Sequence, residues 1–224
     1  MSVFKDIVKL WNADNLLSQA WDESYKMMML SNEIFTQAIK YLREGENKET
    51  IKALKKRDVE INIFQRDVRR KVVTHYAISQ DIDDIPNGLV LLNMVVDVER
   101  VGDYTKNILD LALNHPNIIK SEEFSEDLYH VEQEVISRFR KTLEAIHTQD
   151  ADVARSMMLT YKETLTSVSD DIVNGCISGK ITLGDESKTV SLALYARYLK
   201  RIGAHLKNIT TVLINPFDAV GYKQ

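Results

Sequence analysis

The chain has 224 residues and a formal net charge of -4, and 44% of its residues are hydrophobic. This length holds one large domain or two small ones, and the hydrophobic share is enough to build a normal core, which excludes disorder as the starting assumption. Acidic and basic residues are intermixed and form no basic footprint of the kind that nucleic-acid binding needs, so we expect no nucleic-acid partner.

The residue usage also limits the fold and the compartment. One cysteine excludes an intrachain disulfide and a cysteine-rich zinc site. The N-terminus lacks a signal-peptide pattern, and no apolar run approaches the roughly 20 residues that span a bilayer. We therefore expect a cytoplasmic protein with at most peripheral membrane association. Few glycines and prolines, with apolar residues at three- and four-residue intervals, predict an all-α fold.

The first predicted element is a short N-terminal amphipathic segment at residues 1–14. Apolar side chains alternate with charged ones between Val3 and Trp11, and a polar break follows at residues 12–15. One interpretation is a helix that docks on the body of the protein or on a second subunit. The other is a helix that docks on a membrane surface or on a partner protein.

Three long helices are predicted in the first half, which we place at residues 15–117. Apolar stripes at helical spacing indicate helices over about residues 16–42, 48–77 and 87–114. Glycine at position 45 and proline at positions 86 and 116 mark the breaks between them.

The second half, residues 118–224, shows the same order. Its predicted helices cover about residues 123–147, 150–174 and 187–214, with a glycine-marked loop before the last one. Two tandem three-helix bundles are the simplest architecture for six such helices.

An internal repeat relates the two halves. The stretch at residues 98–108 returns 101 positions later, within residues 198–209, with Arg, Gly, Lys, Asn and Ile at matching places. Gly102 and Gly203 lie inside predicted helices, where glycine costs about 1 kcal/mol relative to alanine. We therefore expect another helix to pack closely against each glycine.

The third helix carries two acids one turn apart, and the second helix carries an acid and an amide at the same spacing. If the two helices are neighbours, four oxygen-bearing side chains face one groove. We call these four residues the acidic seam: Asp58, Asn62, Glu99 and Asp103. Such a set suits a cation such as Mg²⁺, Mn²⁺ or iron. The alternative is a solvated face in which Glu99 pairs with Arg100 or Lys106 and no metal binds.

These residues carry a resemblance to a known family. The motif Glu99-Arg100-Val101-Gly102-Asp103, with the turn Asp58-Val59-Glu60-Ile61-Asn62, resembles the PhoU family of phosphate-uptake regulators. The resemblance covers most of the chain. It implies two tandem three-helix bundles with acidic metal-binding motifs on their surfaces.

The resemblance also implies a function and partners. It predicts a non-enzymatic cytoplasmic regulator of phosphate uptake and phosphate-starvation signalling, which docks on the transporter's ATPase subunit and on a sensor histidine kinase. A homodimer is expected as well. The implied cofactor is a divalent or trivalent metal ion: iron, zinc, manganese or magnesium.

The second half departs from the family's acidic pattern. Lys162, Thr166, Lys200 and Ala204 stand at the places of the acidic seam. Since ammonium groups repel a cation, we expect metal in the first half only. His205 is the one potential ligand left there.

Two other functions remain open. One is a carboxylate-bridged metalloenzyme of the helical-bundle type, although the Glu-x-x-His pairs of di-iron proteins are absent from the acidic helices. The other is a metal-free helical interaction module. Neither a nucleophilic triad nor a phosphate-binding glycine loop is present, and we predict no catalysis.

Overall fold

The computed structural model describes residues 15–79, 83–115 and 126–222, and within them the chain is helical and contains no strand. The helices are α1 (Leu16–Glu44), α2 (Lys48–Lys56), α3 (Asp58–Ser79), α4 (Ile85–Asn114), α5 (Glu126–Thr148), α6 (Ala151–Tyr161), α7 (Val168–Ile177) and α8 (Glu186–Thr211). A π-helical segment (Lys162–Ser167) joins α6 to α7, and a 3-10 turn (Phe217–Ala219) follows α8. The all-α prediction of tandem helical bundles is confirmed.

The first bundle packs α1, α3 and α4 against one another, with the short α2 at its end. The side chain of Asn15 accepts a hydrogen bond from the Ser18 amide at 2.9 Å and caps the start of α1. Gly45 ends the same helix with a positive φ of 80°, a conformation that glycine adopts without a steric penalty. The break predicted at Gly45 is therefore present in the structure.

The predicted second helix is two helices. Arg57 separates α2 from α3, and its amide bonds to the Leu54 carbonyl at 3.0 Å, as in a tight 3-10 turn. Its guanidinium bonds to Glu60 of α3 and to Glu33 of α1. The break makes Asp58 the first residue of α3.

The second bundle packs α5 and α8 against the combined α6, π segment and α7. The predicted fifth helix covers this combined element, and it is not α-helical throughout. Buried Arg138 of α5 donates to the Met157 carbonyl at 2.7 Å and to the Thr160 hydroxyl at 2.8 Å, directly before the π segment.

The two bundles share one hydrophobic core, with α4 packed on α8 and α1 on α5. Phe35 and Phe139 meet across this boundary with ring centroids 5.6 Å apart. Beside them Arg43 of α1 bonds to the buried Glu132 of α5 at 2.6 Å. Glu132 also accepts a hydrogen bond from the hydroxyl of Tyr195, which is fully buried in α8.

Both repeat glycines lie at close helix contacts, as predicted. A Cβ on Gly102 would lie 3.2 Å from Ile61 Cδ1, and one on Gly203 would lie 2.0 Å from Leu165 Cδ2. At the repeated glycine, α4 thus approaches α3 in the first bundle, and α8 approaches the π segment in the second.

Some predictions concern residues outside the ranges that the structure describes. The N-terminal amphipathic segment at residues 1–14 lies outside these ranges, and so do residues 116–125 at the junction of the halves. The bounds 1–14, 15–117 and 118–224 therefore stay predictions. Within the part of the chain that is described, no helix is both long and apolar enough to cross a bilayer.

Candidate functional site

The start of α3 lies against the middle of α4, and this contact brings the acidic seam together. Asp58 opens α3, and its Oδ1 lies 3.4 Å from the position that a Cβ on Gly102 would take. Asn62 follows one turn later, and its Nδ2 donates to Asp58 Oδ2 at 3.0 Å. Glu99 and Asp103 flank Gly102 on α4.

A lysine joins the two helices at this point. Lys106 Nζ lies 2.9 Å from Asp58 Oδ2 on α3 and 2.9 Å from Asp103 Oδ1 on its own helix. Hydrogen bonding to both carboxylates raises the pKa of Lys106, against the lowering effect of burial. The ammonium group therefore acts as a positively charged bridge across the acidic seam.

Arg100 neutralises the outer side of the acidic seam. Its Nη1 lies 3.1 Å from Asp103 Oδ2, and its Nε lies 3.7 Å from Glu99 Oε2. Burial raises the pKa of Glu99, and the carboxylates of Asp103 and Asp58 raise it further, while Arg100 and Lys106 oppose them. Burial and its acidic neighbours thus disfavour the charged form of Glu99.

The residues fit a metal ion in their chemistry but not in their present arrangement. Asp58 Oδ1 is buried without a hydrogen-bond partner, and carboxylate oxygens suit hard cations. Among the described residues, however, no three His, Cys, Asp or Glu side chains are placed to hold a metal. Asn62 turns its amide nitrogen, not its oxygen, towards Asp58. A metal at the acidic seam stays a prediction that requires Lys106 to move.

An open polar groove of about 490 Å³ adjoins the acidic seam. Its lining residues are Lys55, Arg100, Asp103, Tyr104, Lys106, Asn107 and Asp110. Lys55 of α2 forms an ion pair with Asp110 of α4 at one end of it. The groove therefore carries both signs of charge on paired side chains.

The second bundle lacks the acidic seam and uses its lysines differently. Lys200, at the place of Glu99, bonds to both carboxylate oxygens of Asp170 at 2.6 Å. Lys207, at the place of Lys106, lies over the Tyr161 ring, 5.6 Å from its centroid. Burial lowers the pKa of Lys207.

His205 contacts the other bundle. Its Nδ1 lies 2.7 Å from Asp97 Oδ1 of α4, which also accepts a hydrogen bond from Asn208 at 3.2 Å. Its ring stacks on Tyr104, whose hydroxyl accepts a hydrogen bond from Arg201. His205 therefore serves the contact between bundles.

Two acids that form these contacts were not predicted from the sequence. Asp97 lies just before the repeated motif, and Asp170 lies outside it, so the motif pointed to neither. The repeat did contain a signal for Lys106, because Lys207 occupies the same place in the second copy.

Fold and site together define a helical protein of two repeated bundles, with an ion-paired acidic groove on the first. The PhoU domain family model matches residues 25–112 and 128–213, one copy in each bundle. The chain belongs to the PhoU domain family.

Two relatives share about a quarter of their aligned residues with this chain. The chain is 25% identical over 171 residues to the phosphate-specific transport system accessory protein PhoU homolog of Clostridium acetobutylicum, covering 74% of this chain and 76% of the relative. It is 25% identical over 162 residues to a protein of the same name from Pseudomonas putida, covering 70% of this chain and 62% of the relative.

Solved structures share the fold. The crystal structure of PhoU from Pseudomonas aeruginosa superposes with a TM-score of 0.75 at 21% identity, covering 91% of this chain and 97% of that one. The phosphate transport system regulatory protein PhoU from Streptococcus pneumoniae gives a TM-score of 0.70 at 18% identity, covering 88% and 93%.

Proposed function

We propose that this protein is a cytoplasmic accessory regulator of phosphate uptake and phosphate-starvation signalling, acting by protein docking rather than by catalysis. The observation that carries the proposal is the PhoU domain match in both bundles. The names of the two curated relatives, both phosphate-specific transport accessory proteins, support it.

The proposed partners are the ATPase subunit of a phosphate transporter and a sensor histidine kinase. Deletion of the gene in its host should raise phosphate uptake and switch on starvation genes in phosphate-rich medium. Re-expression of the wild-type chain should reverse both effects. Unchanged uptake and unchanged starvation-gene expression after deletion would refute the proposed function.

The outward face of α3 supports docking. Val59, Ile63 and Val73 are 59%, 44% and 65% exposed. Arg66 and Arg70 lie between them at a 4-3-4-3 spacing, which places all five side chains on one side of the helix. Exposed apolar side chains on one face of a helix offer a contact surface to a partner. The arginines favour an acidic surface as the counterpart.

We assign this α3 face to the ATPase subunit. Ile63→Asp and Val73→Asp should each weaken capture of the purified ATPase subunit by about tenfold or more, because a carboxylate replaces an apolar contact among arginines that favour an acidic partner. Val190→Asp is the matched control, since Val190 is 57% exposed but lies on α8 of the other bundle. Equal capture by all three variants would contradict the assignment.

We further propose a metal ion at the acidic seam of the first bundle, and a homodimer. Elemental analysis of protein purified without chelators should find metal in the wild type and less in Glu99→Ala/Asp103→Ala. Equal metal in both, or none in either, would refute the metal site.

Light scattering of the purified chain measures the oligomeric state directly, and a monomer at every concentration tested would refute the dimer.

A further inference from the structure

We infer that the ammonium group of Lys106 takes the place of a bound metal ion in the acidic seam. This group holds α3 and α4 together where a metal ion would otherwise bridge them, and a metal binds only after Lys106 withdraws. This inference rests on the metal site proposed above and states what controls its occupancy.

The first support is the position of the ammonium group. Lys106 Nζ contacts one carboxylate oxygen from each helix, Asp58 Oδ2 and Asp103 Oδ1, both at 2.9 Å. A metal ion bound to the same two oxygens at about 2.0–2.6 Å would lie within about 5.5 Å of Nζ. Two cations that close repel each other strongly.

The second support is the pairing of the remaining oxygens. Asn62 donates to the same Asp58 oxygen that Lys106 contacts, and Arg100 contacts the other oxygen of Asp103. Three acids face two cations, which leaves one negative charge in excess. Asp58 Oδ1 is buried beside Gly102 without a partner. The acidic seam therefore keeps oxygens that could bind a metal, and Lys106 competes with a metal for two of them.

The second bundle provides an internal comparison. Lys207 occupies the same repeat position, but the acids around it are replaced and, among the described residues, it forms no ion pair with a carboxylate. It packs over Tyr161 instead. The lysine is thus present in both copies, and it becomes a bridge only where the acids stand.

The structure also provides space for the withdrawn side chain. Lys106 lines the open groove beside the acidic seam, and Asp110 lies in that groove one helical turn further along α4. A lysine released from Asp58 can therefore turn towards Asp110, which Lys55 also contacts, without leaving the surface.

The test is Mn²⁺ binding to metal-free protein, measured by isothermal titration calorimetry at one fixed pH. Lys106→Met should bind Mn²⁺ about tenfold more tightly than the wild type, because the variant has no ion pairs of Lys106 with Asp58 and Asp103 that must break before the metal binds. Lys106→Arg, which keeps the charge, should stay at the wild-type affinity.

A matched control removes another partly buried lysine. Lys71 on α3 forms an ion pair with Glu23 of α1, far along the helix from Asp58. Lys71→Met changes the net charge by the same amount and should leave Mn²⁺ affinity unchanged. Adding Asp103→Asn to Lys106→Met should abolish the gain, because a bridging ligand is lost.

Three results would overturn the inference: equal affinity in the wild type and Lys106→Met, an equal gain in Lys71→Met, or no Mn²⁺ binding by Lys106→Met that circular dichroism shows to be folded. If Lys106→Met does not fold, Lys106→Gln, which keeps a hydrogen-bond donor, takes its place under the same criteria. Binding is measured on purified protein, so its failure is separate from a failure of the phosphate-uptake test.

Discussion

Glu99 is an acid whose charged form is disfavoured by its surroundings. Burial raises its pKa, and the nearby carboxylates of Asp103 and Asp58 add to that effect. A raised pKa means that folded protein binds the proton more tightly than unfolded protein does. The charged side chain therefore lowers stability as the pH rises from the ordinary glutamate pKa, about 4.3, through the raised value.

Replacing Glu99 with glutamine should remove this cost. In the presence of a chelator, Glu99→Gln should be more stable than the wild type at pH 7, and the difference should disappear near pH 4, where Glu99 is protonated. Urea denaturation at both pH values measures the difference. Glu44→Gln, at an exposed position near the end of α1, serves as the control. A Glu99→Gln protein that is less stable at pH 7 would contradict the expectation.

Spacing along the chain identified the acids but could not decide what they bind. Helical spacing places Lys106 near Asp103, because residues three apart share a helix face. The contact of the same lysine with Asp58 depends on the register of α4 against α3. No local pattern encodes that register.

Helix packing at the two glycines differs between the bundles. A Cβ on Gly102 would lie 3.2 Å from Ile61 Cδ1, which small adjustments can relieve, whereas one on Gly203 would overlap Leu165 Cδ2 at 2.0 Å. Leu165 is completely buried, so its neighbours restrict any movement.

Alanine at the two positions should therefore have different effects. Helix propensity favours alanine by about 1 kcal/mol at both, but overpacking costs about 1–3 kcal/mol in a tight core. Gly102→Ala should be neutral or slightly stabilising, and Gly203→Ala should be less stable than Gly102→Ala by about 1–2 kcal/mol. Urea denaturation measures the difference. A Gly203→Ala protein as stable as Gly102→Ala would show that Leu165 moves freely.

Helix existence could be predicted from the sequence more easily than helix continuity. The apolar stripes located the six long elements within a few residues. Arg57, at the break, contacts Glu33 on another helix, and the π segment begins near the Met157 carbonyl, which Arg138 contacts from α5. Both irregularities lie beside tertiary contacts, which the periodicity of the sequence does not reveal.

At the scale of the molecule, polar contacts fix how the bundles meet. Asp97 of α4 binds His205 and Asn208 of α8, and Glu132 of α5 binds Arg43 of α1. The internal repeat predicted two similar halves. It could not predict their mutual orientation, because Asp97 and His205 are not repeated: Tyr198 and Tyr104 stand at their places in the other copy.

Loss of Asp97 should weaken the whole fold. Asp97→Ala leaves the partly buried His205 and Asn208 without their acceptor, which should lower the free energy of unfolding by about 1–3 kcal/mol. Unfolding should stay a single transition in the wild type, since the bundles share a core. Circular dichroism during urea denaturation tests both points. Asp171→Ala, at an exposed position on α7, is the control, and an equal loss there would contradict the role of Asp97.

The one-residue break before α3 has an electrical consequence. In the uninterrupted helix predicted from the sequence, Asp58 would lie in the middle, where peptide dipoles cancel. In the structure it opens α3, so it faces the partial positive charge that aligned peptide groups produce at a helix N-terminus. Such a position stabilises a carboxylate by about 0.3–1 kcal/mol. The peptide backbone of α3 therefore adds positive potential at the same acid that Lys106 contacts.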